Sequence, residues 1–267
     1  MLDKKIVFIG GGNMAEGIIR GLINTETLSP KNIYVSEIIK KRQEYLEDTY
    51  KLVITQDVNK DIQDADIVLL AVRPQDVENT LNSVKDSLKD DQILVSICAG
   101  IDLTRLDQYT GGNKKLARVM PNVLIEARHG YSGVCVSSLI NDEDKEVIST
   151  LFEAIGQTMF IPESLFDEFT CYSCAGPAYV LYFMAALIDA GVEAGFSRAD
   201  ATSMTIENLI GSAMMLDKTK KNPYQITDTM TSPAGVTIEG LHVLSKEGFQ
   251  GIVMDSVRAA IKRSKEF

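Results

Sequence analysis

Ile6-Val7-Phe8-Ile9-Gly10-Gly11-Gly12-Asn13-Met14-Ala15 decides the fold of this chain. Its first four residues form a continuous apolar run, which reads as a strand covered on both faces. The next six fit G-x-G-x-x-A, and residues 14–24 carry a helical pattern. Strand, glycine turn and helix in that order are the context in which this motif binds a dinucleotide. Gly10 permits the tight turn, Gly12 lets the backbone approach a pyrophosphate, and Ala15 lets helix and strand pack closely. The helix start, with Gly11, Asn13 and Met14 beside it, then offers free N–H groups and the positive dipole end to the anion.

Outward from that turn, apolar runs alternate with helical patterns. Residues 33–35 precede a helix over 40–50, and residues 52–54 lead into a short segment. Residues 67–72 precede a helix over 77–88, and a further run occupies 93–97. Two or three more strands are expected, over 116–120, 131–136 and 158–161, with a helix over 141–154 between the last two. Alternation of this kind implies a doubly wound parallel sheet. Beyond Pro162 the β-branched runs stop, and helices are expected over 177–195, 198–216, 223–230, 235–246 and 249–265. Gly195 reads as a helix stop and Ser197 as the next N-cap. The expected architecture is α/β: a Rossmann-like dinucleotide-binding domain over 1–161, then an all-helical domain over 162–267.

In open α/β sheets the ligand crevice lies beyond the carboxyl ends of the strands. Val35-Ser36-Glu37 ends the second strand. Glu37 suits ribose hydroxyls and repels a 2′-phosphate, whereas Ser36 and the basic cluster Lys40-Lys41-Arg42 suit that phosphate. NADPH and NADH both stay open on these signals. Ala71-Val72-Arg73-Pro74-Gln75 ends the fourth strand, where Arg73 either covers a cofactor or is a surface residue before a Pro-initiated helix. Cys98-Ala99-Gly100-Ile101 belongs to the same edge.

Composition narrows the function. The 267 residues are 45% hydrophobic and 24% charged, as in ordinary globular chains. A net charge of −10 repels a polyanion, and backbone amides rather than side chains must supply positive potential to a phosphate. Met1 to Lys5 run straight into a strand, without the apolar region of a secretory signal. The longest apolar stretch, 178–188, is closed by Asp189 and falls short of the ~20 residues of a membrane span. It reads as a helix buried on most of its faces. The expectation is a cytoplasmic protein with neither nucleic acid nor membrane as partner. Cys98, Cys135, Cys171 and Cys174 read as reduced thiols. Cys171-Tyr172-Ser173-Cys174 has CxxC spacing but lacks two further ligands, and His129 and His242 sit in no ligand pattern, so no metal is expected.

Taken together, these residues resemble the pyrroline-5-carboxylate reductase family. The resemblance is carried by Phe8 through Ala15, Ala71-Val72-Arg73-Pro74-Gln75, Ala99-Gly100-Ile101 and Arg118-Val119-Met120-Pro121-Asn122. It continues through Gly176-Pro177-Ala178-Tyr179, Thr231-Ser232-Pro233-Ala234-Gly235-Val236-Thr237 and the tail from Met254-Asp255 to Arg263-Ser264-Lys265-Glu266. It implies an NAD(P)H-dependent imine reductase whose C-terminal helices interlock with a second subunit. It also implies that Ala71 to Pro74, Ala99, Gly100 and Met120-Pro121-Asn122 line the cofactor side. This sequence departs from the family at Val123-Leu124, at Arg128-His129-Gly130, at Cys174-Ala175 and at Ala234 in place of a glycine. Ile38 stands where NADPH users often carry Arg, so NADH use is the expectation.

Reduction of a cyclic imine needs hydride delivery to an already electrophilic carbon, and neither a metal nor a covalent nucleophile. The substrate carboxylate suits the N–H groups where a loop enters a helix. By the resemblance, Ser232 and the amides of Gly235, Val236 and Thr237 hold that carboxylate, and the Thr237 hydroxyl bonds the ring nitrogen. The expected reaction is reduction of Δ1-pyrroline-5-carboxylate to L-proline. Reduction of a related imine or keto acid, and a non-catalytic dinucleotide-binding regulator, are the alternatives. A β-hydroxyacid dehydrogenase would need a lysine on the first long C-terminal helix, and no Lys lies between Lys145 and Lys218.

Overall fold

The computed structural model describes residues 1–266, which form two compact units, 1–174 and 175–266. The first unit is an eight-stranded sheet of order β3-β2-β1-β4-β5-β6-β7-β8. Its strands are β1 (Ile6–Ile9), β2 (Ile33–Ser36), β3 (Val53–Ile54), β4 (Ile67–Leu70), β5 (Ile93–Ser96), β6 (Lys115–Pro121), β7 (Gly130–Val136) and β8 (Gly156–Phe160). Its helices are α1 (Asn13–Asn24), α2 (Lys40–Tyr50), α3 (Val58–Gln63), α4 (Val77–Val84), α5 (Leu103–Thr110), α6 (Asp142–Glu153) and α7 (Phe166–Phe169).

The runs β1, β4 and β5 are buried at every position, as strands covered on both faces must be. One face packs Phe8, Ile18, Ile19, Leu22 and Leu46, the other Val7, Val68, Leu81, Leu94 and Leu106. The chain crosses between β1 and β4, so the sheet edge reverses its winding there and opens a crevice beside the glycine turn.

The sheet departs from the all-parallel expectation at one place. β7 runs antiparallel to β6, pairing Met120 with Gly133 and Pro121 with Ser132, and β8 runs parallel to β7. The cause is connection length. Only a short 3₁₀ segment, Val123–Ala127, separates β6 from β7, and a parallel return needs a crossover of a dozen residues or more.

The units divide after Cys174, beyond the break expected near Pro162. Residues 163–174 stay with the sheet because they bury Phe166 and Cys171 and lay the Phe169 ring against Gly133. Arg118 on β6 fastens the same segment: its guanidinium bonds Glu163 at 3.2 Å and stacks on the Phe166 ring at 3.8 Å.

The second unit is helical: α8 (Gly176–Glu193), α9 (Arg198–Thr219), α10 (Pro223–Asp228), α11 (Val236–Lys246) and α12 (Phe249–Ser264). Gly195 adopts φ +104° after α8, and the Ser197 hydroxyl accepts the Asp200 N–H to start α9, as the sequence implies. α8 and α9 approach closely at Gly191, whose absent Cβ would lie 2.9 Å from that of Ala201. The Phe183 and Phe249 rings meet at a tilt of 41°, their centres 5.6 Å apart.

Unlike the burial expected for 178–188, α8 has no buried residue in this chain, and Leu181 and Tyr182 are widely exposed. Met214 on α9, Val243 on α11 and Ile252 on α12 are exposed as well. A layer of five helices has too little interior to cover so much apolar surface by itself. The helical run Glu163–Glu193 is also long and apolar enough to cross a membrane by length and composition, with a mean hydropathy of 1.5 in its most apolar window.

Candidate active site

The glycine turn has the geometry its sequence implies. Gly10 sits at φ +102°, and its N–H donates to the Ser36 carbonyl at 2.8 Å. A Cβ on Gly10 would lie 2.5 Å from the Ala71 carbonyl oxygen, so β4 passes directly behind the turn. Gly12 is the N-cap of α1 and offers no side-chain cap, which leaves the first amides of α1, including those of Asn13 and Met14, pointing outward. Nothing lies within 4 Å of the Cβ position of Gly12, so a ligand has room to reach the backbone. These features make an anion seat at the amino end of a twelve-residue helix.

Gly11 is held from two sides. Glu37, just past β2, accepts the Gly11 N–H at 3.0 Å and the Ile39 N–H at 2.9 Å. Arg42 donates from Nε to the Gly11 carbonyl at 2.6 Å and from Nη2 to Glu16 at 2.5 Å. Glu16 also accepts the hydroxyls of Tyr50 and Tyr45, at 2.7 and 2.9 Å. Burial alone would raise the Glu16 carboxyl, but hydrogen bonds from Tyr50, Arg42 and Tyr45 outweigh it and hold the group below its ordinary value. Burial and the bond to Glu16 push Tyr50 up to about 12. Sequence reading missed Glu16. Its one visible signal is a carboxylate in the first turn of a helix that must receive an anion.

Along the remaining strand ends, Ala71 and Val72 are half-buried and Arg73 is exposed, bonding Asp76 at 2.8 Å before Pro74 opens the next turn. Ala99 and Gly100 are exposed after β5, with Gly100 at φ +74°. Glu163 reaches this loop as well, accepting the Leu103 N–H at 3.1 Å, and so ties the start of α5 to Arg118.

Met120 is half-buried and Pro121 buried at the end of β6. Asn122 is buried, and its side chain is occupied within the protein: it accepts the N–H groups of Leu124 and Tyr131 and donates to the Ser173 carbonyl. That amide braces the strand end. The brace meets a π-helical turn, Thr170–Cys174. Cys174 there is pushed up to about 11 by burial, with Cys171 adding to the effect, so it is a protonated thiol rather than a nucleophile.

In the helical unit, Ser232-Pro233-Ala234-Gly235 forms a tight turn closed by Gly235 N–H to the Ser232 carbonyl at 3.0 Å. α11 starts at Val236 with Gly235 as N-cap and no side-chain cap, so the amides of Val236 and Thr237 lack helical partners. The Ser232 hydroxyl lies over Gly235, where any Cβ would overlap it. One short loop thus assembles an uncapped helix start, a hydroxyl above it and a second hydroxyl, Thr237, on its first turn. Ala234 takes φ +55°, a conformation in which a Cβ is unfavourable by roughly 1–2 kcal/mol. Ala234→Gly is therefore expected to stabilise the helical unit by about 1 kcal/mol, seen as a rise of a few degrees in Tm by calorimetry. An unchanged or lowered Tm counts against the strain.

A doubly wound sheet with an uncapped glycine turn at its crevice, followed by a helical unit, defines a nicotinamide-dinucleotide-dependent oxidoreductase. A family model described as NADP oxidoreductase, coenzyme F420-dependent, matches residues 5–100, and one described as pyrroline-5-carboxylate reductase dimerisation matches 163–267. The pyrroline-5-carboxylate reductase of Synechocystis sp. is 35% identical over 265 residues, covering 99% of this chain and 98% of the relative. A solved pyrroline-5-carboxylate reductase from Coxiella burnetii superposes with a TM-score of 0.93 at 27% identity, covering 99% of this chain and 98% of that one. The pyrroline carboxylate reductase of Plasmodium falciparum, solved with NADP bound, gives 0.87 at 31% identity, covering 100% and 98%. The chain belongs to the pyrroline-5-carboxylate reductase family.

Proposed function

We propose that this protein reduces Δ1-pyrroline-5-carboxylate to L-proline at the expense of NADPH or NADH. The observation that carries the reading is the uncapped start of α11 beneath the Ser232 hydroxyl. When bound, the reduced dinucleotide supplies the hydride. The glycine turn holds its pyrophosphate on the first amides of α1, with Gly10, Gly11, Gly12, Asn13 and Met14 around it. Ser36 and Glu37 stand at the adenosine ribose, and Glu37 favours NADH by repelling a 2′-phosphate. Ala71 to Pro74, Ala99-Gly100 and Met120-Pro121 line the cofactor side, and Asn122 acts there as a brace.

For the substrate, Ser232 and the amides of Val236 and Thr237 hold the carboxylate; the Gly235 N–H, expected to share that task, is instead bonded to the Ser232 carbonyl and closes the turn. The Thr237 hydroxyl bonds the ring nitrogen and stays with it as the amine forms. Purified protein should oxidise NADH or NADPH only when pyrroline-5-carboxylate is added. Dinucleotide binding without oxidation would instead favour a regulatory role. Oxidation with another imine acid alone would favour the changed loops at 123–130 and 173–175 as substrate determinants.

The working form in this reading is a cytoplasmic homodimer or larger homo-oligomer. Its two domains are the cofactor domain and, beyond it, the substrate and dimerisation domain. The exposed apolar side chains of α8, α9, α11 and α12 support it, since each large one buried contributes about 1.5–3 kcal/mol. Light scattering should show at least a dimer across micromolar concentrations. A monomer that sediments with lipid vesicles would assign the same surface to a bilayer.

A further inference from the structure

We propose that Glu16 sets the dinucleotide preference by holding the Arg42 guanidinium away from the 2′ position of the adenosine ribose. The proposal rests on the dinucleotide site described above and adds a residue that touches no part of the ligand. The chain carries the cation that an NADPH user needs. Arg42 lies on the first turn of α2, directly after the strand end that faces the ribose, and its Nε already bonds the Gly11 carbonyl. Lys40 and Lys41 beside it are exposed point charges. Arg42 is the guanidinium of the cluster, and a planar fork of donors suits a phosphate better than an ammonium does.

That fork is turned inward. Its Nη2 bonds Glu16 at 2.5 Å, and its charge lies 5.1 Å from the centre of the Tyr45 ring. The Arg42 and Glu16 side chains are 21% and 13% exposed, so solvent screens the pair less than it would a surface pair. Glu16 is fixed in turn, because one carboxylate oxygen takes Arg42 and the other takes the hydroxyls of Tyr45 and Tyr50. A carboxylate in the first turn of α1 opposes the anion that turn must receive. Its retention there has a reason if its task is to occupy Arg42. Two acidic residues then act in one direction: Glu37 repels the 2′-phosphate, and Glu16 withholds the fork that would attract it.

The test is calorimetric titration of the intact protein with NADH and with NADPH, in the absence of substrate. Failure to turn over pyrroline-5-carboxylate therefore leaves it untouched. The readout is the ratio of the two Kd values, which a general loosening of the turn would leave unchanged. E16Q should shift the ratio toward NADPH by about tenfold, the effect of gaining one charge-assisted contact, and the shift should shrink at high salt. E16Q combined with R42Q should return the ratio to the wild-type value. E16D, which keeps the charge and withdraws it by one methylene, should lie between, and it carries the test if E16Q does not fold. An unchanged ratio in E16Q or E16D overturns the proposal, and so does a shift that survives R42Q.

Discussion

Gly10→Ala is expected to weaken NADH and NADPH binding by more than about 100-fold and to lower Tm by roughly 5–10 °C. Two independent penalties fall on one methyl group. At φ +102° any side chain is strained, by roughly 1–2 kcal/mol or more. The new Cβ would also sit 2.5 Å from the Ala71 oxygen, 2.9 Å from its carbonyl carbon and 3.3 Å from the Val72 nitrogen. All three are backbone atoms, and a rotamer change cannot move them. Nor can the turn retreat: Gly10 N–H is bonded to Ser36, and Ala71 N–H to the Ile9 carbonyl at 2.9 Å. Relief must therefore come from parting β1 from β4, which displaces the amides that receive the pyrophosphate.

Gly12→Ala separates the two effects. Its φ of −69° is ordinary and its Cβ meets no protein atom, so Tm should hold while the methyl group obstructs the ligand's approach. Fluorescence titration of NADH together with thermal melts checks both variants. Binding by Gly10→Ala within tenfold of wild type would mean that the dinucleotide is held elsewhere.

What was legible in the sequence depended on how local each cause is. The turn from Gly10 to Ala15 could be read because its residues act on their own backbone, and the same holds for Gly195 and Ser197. The direction of β7 could not, because side chains alternate identically in parallel and antiparallel strands. Its one signal was the short stretch between Pro121 and Gly130. The partner of Arg42 lies 26 residues away on another helix, and nothing in Lys40-Lys41-Arg42 marks which of the three charges is engaged. Asn122 was recognisable as part of a motif, yet its hydrogen bonds depend on where Tyr131 and Ser173 come to lie. The apolar pattern of α8 showed what the helix must hide without showing what hides it.

The loop before α11 gives the sharpest test of the substrate assignment. Thr237→Ala should lower kcat/KM for pyrroline-5-carboxylate by about 10-fold to 1,000-fold and leave dinucleotide binding intact, since a hydrogen bond to developing charge contributes a few kcal/mol. Val236→Ala should do far less, because that residue would act through its amide. Gly235→Ala should be as damaging as Thr237→Ala by another route. The added methyl overlaps the Ser232 hydroxyl and presses on the Ser232 carbonyl at 3.0 Å, the acceptor that closes the turn. If displacement of the hydroxyl is the main injury, Ser232→Ala should already contain most of the loss. Adding Gly235→Ala to Ser232→Ala should then cost much less than it does in wild type, which a double-mutant cycle in kcat/KM measures. If the two losses simply add, the turn backbone rather than the Ser232 hydroxyl is what Gly235 protects. If Thr237→Ala keeps full kcat/KM while folded, the ring nitrogen is met by another group, and Ser173 and His129 are the next side chains to replace.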